Sequence, residues 1–365
     1  FNPTEAAMKT IVMTGGGTAG HITPNIALIP KLRNAGFNIH YIGLRGGMEE
    51  SLIKQQGIEF HGINGGKLRR YFDIKNFTDL FRIGAGFFES VSLLGKIKPD
   101  IVFSKGGFVS TPVVWAASFR HIPVIAHESD LSIGLANKLS LPFTQKVCYT
   151  FPETGAQIPK GKGVFTGLPI RDTLLHGDAK RGRSLCGFGG DKPVLMATGG
   201  SQGAQFINNM LRDCLDDLLP EFYICHICGK GNLDPALEGK EGYCQFEYVT
   251  DDLKDLFAMA DIVVSRAGAT SIFELLALKK PNLLIPYGLA ASRGDQILNA
   301  KSFQKQGYSE VLSQEDATKE KFLSLIKSIY ENRSYYIDKM EKSTIKNGLE
   351  SVFKIICETA GVKVG

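Results

Sequence analysis

Apolar residues along this chain gather in short solid runs, and between the runs they recur at helical spacing. The first run, Thr10-Ile11-Val12-Met13-Thr14, has the composition of a parallel strand buried on both faces. Ile26, Ile29 and Leu32 then repeat on one face of a helix expected over Pro24 to Ala35 and ended by Gly36. Further strands are expected at Asn38 to Gly43, Pro99 to Ser104 and Pro123 to His127, each running into a polar or glycine-rich loop. Proline and glycine interrupt the pattern from Phe151 to about Asp172, which reads as a linker.

Beyond the linker the plan restarts, with a strand at Lys192 to Thr198, a loop at Gly199 to Gly203 and a helix at Ala204 to Leu219. Strands follow at Phe222 to Ile227, Cys244 to Val249, Asp261 to Ser265 and Asn282 to Pro286. Ile345, Leu349, Val352 and Ile356 mark a closing amphipathic helix. Strand and helix in alternation predict an α/β fold with two doubly wound parallel-sheet domains. The length, 365 residues, is ample for two cores.

Gly15-Gly16-Gly17-Thr18-Ala19-Gly20-His21 lies between the first strand and first helix. Bare amides and the helix dipole at such a turn attract anions, phosphate above all. The glycines also spell the dinucleotide pattern G-x-G-x-x-G, which calls for an acid at the end of the second strand. That strand runs instead into Leu44-Arg45-Gly46-Gly47, with Glu49 the first acid; Arg45 keeps NADP open through a 2′-phosphate. His21 is either a helix-end residue bonded to a carbonyl or a general base, since an imidazole titrates at about pH 6.5.

In the second half, Ser201 in the glycine loop and Arg171 at the linker exit are candidates to meet a diphosphate. Glu274 follows Ser265-Arg266-Ala267-Gly268-Ala269-Thr270-Ser271-Ile272-Phe273 and reads as a carboxylate for ribose hydroxyls. Gln296 and Asn299 offer carboxamides for sugar hydroxyls. No metal site is expected: Asp-x-Asp pairs are absent from the sequence, and Cys225 and Cys228 fall on opposite faces of a strand.

Composition narrows the partners. With 43% hydrophobic and 22% charged residues the chain is expected to be globular, and a net charge of +5 suits phosphates or an anionic membrane surface rather than nucleic acid. Seven cysteines, an odd number, point to a reducing compartment. No apolar run is long enough to span a bilayer. Phe1 to Ala7 reads as a remnant ahead of Met8, and the protein is expected in the cytoplasm. Between Lys67 and Leu94, Lys67, Arg69, Arg70, Lys75 and Arg82 accompany Phe77, Leu80, Phe81, Phe87, Phe88 and Val91. This stretch reads as a crossover helix with part of its apolar face packed on the sheet, and its surplus of phenylalanine beside basic residues also fits a membrane-surface patch.

Taken in one order, Gly15 to His21, Lys105-Gly106-Gly107-Phe108-Val109-Ser110, His127-Glu128-Ser129-Asp130, Thr198 to Ala204 and Ser265 to Glu274 resemble the MurG family of peptidoglycan N-acetylglucosaminyltransferases. The likeness runs from Met8 through nearly the whole chain. It implies a GT-B fold: Rossmann-like halves at 1–168 (acceptor-binding, membrane-facing) and 169–345 (UDP-GlcNAc-binding), facing across a cleft, with a helix at 346–365 packing back on the first half. The implied reaction is inverting, metal-independent transfer of N-acetylglucosamine from UDP-GlcNAc to the C4 hydroxyl of lipid I, giving lipid II, with no cofactor.

The resemblance makes His21 the candidate base and Glu128 a competing or assisting one. Thr18, Ala19 and Gly20 would face the donor and acceptor phosphates, and Asp130 would be a substrate contact without the amide donors that an Asn brings. Ser201, Gln202, Arg171 and Thr250 would line the donor side together with Ala269, Thr270, Ser271, Ile272 and Phe273. Glu274 would take the ribose and Gln296 the GlcNAc hydroxyls. It also implies a peripheral place on the cytoplasmic face of the membrane, among other cell-wall synthesis proteins. A sugar-nucleotide epimerase of the same fold, a non-catalytic sugar-nucleotide sensor and an NADP-dependent oxidoreductase are the competing readings.

Overall fold

The computed structural model describes residues 8–66, 75–199, 204–288 and 294–363. Contacts divide the chain into one unit of Phe1–Arg171 with Ile345–Gly365 and a second of Asp172–Thr344.

The first unit is built on seven strands: β1 Thr10–Thr14, β2 Asn38–Leu44, β3 Glu59–Ile63, β4 Ile101–Ser104, β5 Val124–Glu128, β6 Lys146–Tyr149 and β7 Gly163–Phe165. All pair in parallel, in the order β3-β2-β1-β4-β5-β6-β7. Its helices are α1 Ala19–Asn34, α2 Met48–Gln55, α3 Lys75–Ile97, α4 Ser110–Phe119 and α5 Leu135–Ser140. Successive strand residues serve opposite faces. Ile11, Met13, Ile101 and Phe103 feed the core under α1, while Val12 and Val102 feed the core under α3 and α4.

The second unit repeats the scheme with six strands: β8 Val194–Thr198, β9 Tyr223–Ile227, β10 Tyr243–Phe246, β11 Ile262–Ser265, β12 Asn282–Leu284 and β13 Glu310–Val311. Their order is β10-β9-β8-β11-β12-β13, again parallel throughout. Its helices are α6 Ala179–Cys186, α7 Gln205–Asp213, α8 Leu215–Leu218, α9 Leu253–Met259, α10 Ala269–Ala277, α11 Asp295–Lys305, α12 Lys319–Glu331 and α13 Arg333–Glu341. In each sheet the order reverses beside the first strand, between β1 and β4 and between β8 and β11. Ligands of open α/β sheets bind outside the carboxyl ends of strands at such a reversal.

The last helix, α14 Leu349–Ala360, belongs to the first unit. Leu349, Val352, Phe353, Ile356, Cys357 and Ala360 form its buried stripe, in one core with Leu28 and Leu32 of α1 and Ile101 of β4. Full burial of a side chain such as Ile356 contributes about 1.5–3 kcal/mol.

Three sequence expectations shift. The first helix opens at Ala19, not Pro24, because Thr18 takes the extended backbone of an N-cap (φ −148°, ψ 154°) and Pro24 and Pro30 are carried inside the helix. The stretch read as a linker holds a 3₁₀ turn at Pro152–Gln157 and the edge strand β7, too short to show periodicity. The helix expected over Ala204 to Leu219 breaks at Cys214, giving α7 and α8.

Candidate active-site residues

In the first unit the turn after β1 is held from four sides. Tyr41 on β2 donates its hydroxyl to Gly15 O at 2.7 Å and accepts from Asn25 Nδ2 of α1 at 3.0 Å. Burial pushes the Tyr41 phenol upward, so it remains a neutral donor. Glu49 at the head of α2 is buried and accepts from Leu44 N at 2.9 Å and Gly17 N at 3.4 Å. A Cβ on Gly16 would stand 2.2 Å from Glu49 Oε1, so a side chain there would push the buried carboxylate off its bonds. From the fourth side, Gly107 in the loop after β4 (φ +86°) brings its backbone so close that a Cβ would meet Gly16 O at 2.4 Å. The first acid after β2 thus braces the glycine turn and is not placed for a ribose. Arg45 donates to Gly62 O at 2.9 Å and pairs with Glu89, turned toward β3 rather than toward a 2′-phosphate.

His21 is the third residue of α1 and half-buried. Its Nδ1 lies 3.2 Å from Gly16 O and 3.1 Å from Thr18 Oγ1. A carbonyl oxygen only accepts, so Nδ1 carries the proton, and the basic lone pair of the neutral ring is on Nε2. The bond to the carbonyl orients the ring, and it is compatible with either reading of His21. Thr18 is exposed, while Ala19 and Gly20 are half-buried in the first turn, where helix amides point outward.

Lys105, at the end of β4, is the residue that sequence reading passed over. It is 1% exposed, its amide donates to Thr14 O at 2.9 Å and its ammonium donates to Ser129 Oγ. Burial lowers its pKa to about 8 despite the charges of Glu128 and Asp130. The only sequence signal was a lysine between a solid apolar strand and two glycines.

Glu128 ends β5 and is buried. Its carboxylate accepts from Asp130 N at 3.0 Å, Gly134 N at 3.0 Å and Asn137 Nδ2 at 2.9 Å, so it shapes the turn into α5. Three donated bonds occupy lone pairs that a base needs. Asp130, half-buried, has its carbonyl bonded by Thr154 Oγ1 at 3.3 Å. Arg171 is half-buried directly after Ile170, whose backbone is gripped by the Asn347 side chain at 3.0 and 3.2 Å.

In the second unit, β11 runs through Arg266 and Ala267 into Gly268, the N-cap of α10. Arg266 is buried, donates to Ile285 O at 2.9 Å and Pro286 O at 3.3 Å, and stacks 4.0 Å above the Tyr287 ring. It ties the end of β11 to the end of β12. Gln296 in the first turn of α11 accepts from Tyr287 N at 3.3 Å, and its Nε2 lies 3.8 Å from where a Gly268 Cβ would be. The amino ends of α10 and α11 therefore converge beside the sheet's reversal, a setting for anion binding.

Ala269 is buried and Thr270 and Ser271 half-buried there. Ile272 and Phe273 give their side chains to the core, Phe273 edge-on to Phe303 at 5.1 Å, so only their backbone can line a pocket. Glu274 is 8% exposed, one turn and a half into α10. Thr250 is exposed at the turn leading to α9, after the edge strand β10. Ser201 and Gln202 lie outside the described residues, as do Lys67, Arg69, Arg70 and the side chains of Lys75, Phe77 and Leu80.

Comparison with known proteins falls on both units. Residues 11–149 match the glycosyltransferase family 28 N-terminal domain, and residues 194–354 match the family 28 C-terminal domain. A Clostridium tetani protein is 55% identical over 348 residues, covering 95% of this chain and 97% of its own. It is named UDP-N-acetylglucosamine--N-acetylmuramyl-(pentapeptide) pyrophosphoryl-undecaprenol N-acetylglucosamine transferase. A protein of the same name from Lachnospira eligens is 54% identical, covering 96% of this chain and 99% of its own. The crystal structure of Acinetobacter baumannii MurG superposes with a TM-score of 0.76 at 25% identity, covering 96% of this chain and 99% of that one.

Proposed function

The chain belongs to glycosyltransferase family 28, and we propose that it transfers N-acetylglucosamine from UDP-N-acetylglucosamine to lipid I, the undecaprenyl-linked acceptor, giving lipid II. The observation that carries the chemistry is the His21 ring, whose Nδ1 proton is pinned by Gly16 O so that Nε2 is the base. In this reading Nε2 removes the proton from the acceptor C4 hydroxyl as that oxygen attacks C1 of the sugar. The bond from C1 to the diphosphate breaks, UDP departs with the electron pair, and the configuration inverts.

Charge gathers on the leaving diphosphate. The converging amino ends of α10 and α11 supply fixed dipoles for it, joined by Arg171 and Ser201. Glu274 accepts from the ribose hydroxyls, and Gln296 meets the GlcNAc hydroxyls. Gln202, Thr250 and the Ala269–Phe273 backbone complete the donor side, so residues 169–345 bind the donor and residues 1–168 the acceptor.

Thr18, Ala19 and Gly20 face the acceptor's phosphates at the head of α1. Lys105 sets a positive charge behind the two glycine loops, and Glu128 acts as a positioning residue that holds the Ser129-Asp130 turn.

The acceptor is lipid-linked, and α3 and α4 suit a membrane surface. Phe81 and Phe88, seven residues apart on α3, are 79% and 72% exposed, and Phe119 at the end of α4 is 68% exposed. Phe87 meets both Phe88 and Phe119 edge-on. No helix among the described residues is long and apolar enough to cross a membrane. We place this aromatic face against the anionic cytoplasmic leaflet, the enzyme peripheral.

The test is UDP release from UDP-GlcNAc, measured with and without a lipid I analogue. Release should depend on the acceptor, and His21→Ala should slow turnover by about a hundredfold or more while leaving UDP-GlcNAc affinity unchanged. A His21→Ala enzyme that turns over normally removes His21 from the role, and acceptor-independent release refutes the transferase reading.

A further inference from the structure

At the other end of the first sheet, β2 and β3 bring together three side chains with no part in the chemistry above. The register pairs His40 with Glu59 and Ile42 with His61. His40, Glu59 and His61 therefore project from one face of two neighbouring strands. His40 Nδ1 lies 3.2 Å from His61 Nε2 and 3.3 Å from Glu59 Oε2, and His61 Nε2 lies 3.6 Å from Glu59 Oε1. The imidazoles are 14% and 17% exposed, the carboxylate 65%.

These separations have a chemical meaning. Two ligands about 2.0–2.1 Å from a tetrahedral zinc ion stand about 3.3 Å apart. The imidazole nitrogens, 3.2 Å apart, have that spacing, and each has one oxygen of the Glu59 carboxylate within 3.3–3.6 Å, so a small rotation of this exposed side chain brings one oxygen to the third vertex and leaves the fourth to water. Two imidazoles and a carboxylate form a borderline-soft donor set of the kind that selects zinc and its neighbours over calcium or magnesium.

We propose that His40, Glu59 and His61 bind one divalent transition-metal ion of the zinc class, clamping β3 to β2. His40 would ligate through Nδ1 and His61 through Nε2. The His40 proton then moves to Nε2, where Asn38, now 3.1 Å away through Nδ2, turns its amide to present Oδ1.

His40 and Glu59 lie toward the amino ends of their strands, away from the carboxyl ends where Gly15 to His21 sits. The ion is therefore a structural clamp, and its test is separable from that of the transferase reading.

The probe is Co²⁺, followed by its visible absorption and by calorimetric titration of the purified full-length protein after chelator treatment. One ion should bind per chain, Zn²⁺ should displace it, and His61→Ala should weaken binding at least tenfold. His40→Gln should do the same, and both variants should keep full acceptor-dependent UDP release. Hydrogen exchange of the β3 amides should slow when the ion binds. Absence of stoichiometric binding, or equal binding by wild type and both variants, overturns the proposal and leaves the cluster a hydrogen-bonded trio. If a variant fails to fold, Glu59→Gln, which keeps the side chain's shape, decides the same question at an exposed position.

Discussion

Replacing Lys105 by methionine should make the first unit more stable. The ammonium is almost wholly buried, and its pKa falls from the ordinary 10.5 to about 8. That fall corresponds to about 3 kcal/mol by which the folded state disfavours the charged form. The folded-state value lies below the unfolded one, so the penalty is fully present below pH 8. It is relieved as pH rises from 8 to 10.5, where the unfolded chain binds more protons and stability climbs with pH. Lys105→Met removes this titration and also the bond to Ser129, worth about 1 kcal/mol. The net expectation is a gain of about 2 kcal/mol at pH 7 that vanishes near pH 10 and turns into a loss of up to about 1 kcal/mol above it, where only the missing Ser129 bond counts.

Trp115, on α4 with its indole donating to Leu139 O, is the chain's one tryptophan and reports on this unit. Its fluorescence through urea unfolding at pH 7 and pH 10 supplies the comparison. A variant less stable than wild type at pH 7, or a difference that does not shrink between the two pH values, refutes the reasoning. A stabilised Lys105→Met that transfers sugar poorly would identify the lysine as a charge kept for function at the expense of stability.

Three other outcomes follow from the same geometry. Glu128→Gln turns an amide group toward donors that need an acceptor, so thermal stability and turnover should fall together, by roughly 1–3 kcal/mol for the stability; a normally stable but inactive variant would restore Glu128 as a base. Gly107→Ala places a methyl against Gly16 O at a positive φ and should cost about 1–3 kcal/mol with loss of acceptor-dependent activity, read by calorimetry and UDP release. Phe81→Asp with Phe88→Asp, both highly exposed, should leave unfolding unchanged and abolish sedimentation with anionic vesicles; undiminished sedimentation would clear α3 of membrane contact.

The long, wholly apolar strands were legible because each is buried on two faces and needs no pattern beyond continuity. β1, β8 and β11 fall within a residue or two of their expected limits. β3 and β7 were not, being an edge strand of mixed polarity and a three-residue strand at the other rim. His21 and the α10 amino end were readable as strand-turn-helix signals local in sequence. The work of Glu49, Lys105 and Glu128 was not, since each acts on a backbone that only the sheet order brings near. His40 and His61 were invisible as a pair for the same reason, twenty-one positions apart and joined only by register.

The placement of α14 also fixes the order in which the protein can be made. Synthesis delivers β1 to β7 first, yet one face of their core waits for Val352, Phe353 and Ile356. The whole of Asp172–Thr344 must be translated in between, a delay on the order of ten seconds or more. The second unit has no such dependence and can close its sheet as it leaves the ribosome. The amino-terminal half is thus the last to become native, with an apolar groove open to chaperones until the final helix arrives. Truncation before Leu349 would forfeit the first unit and spare the second.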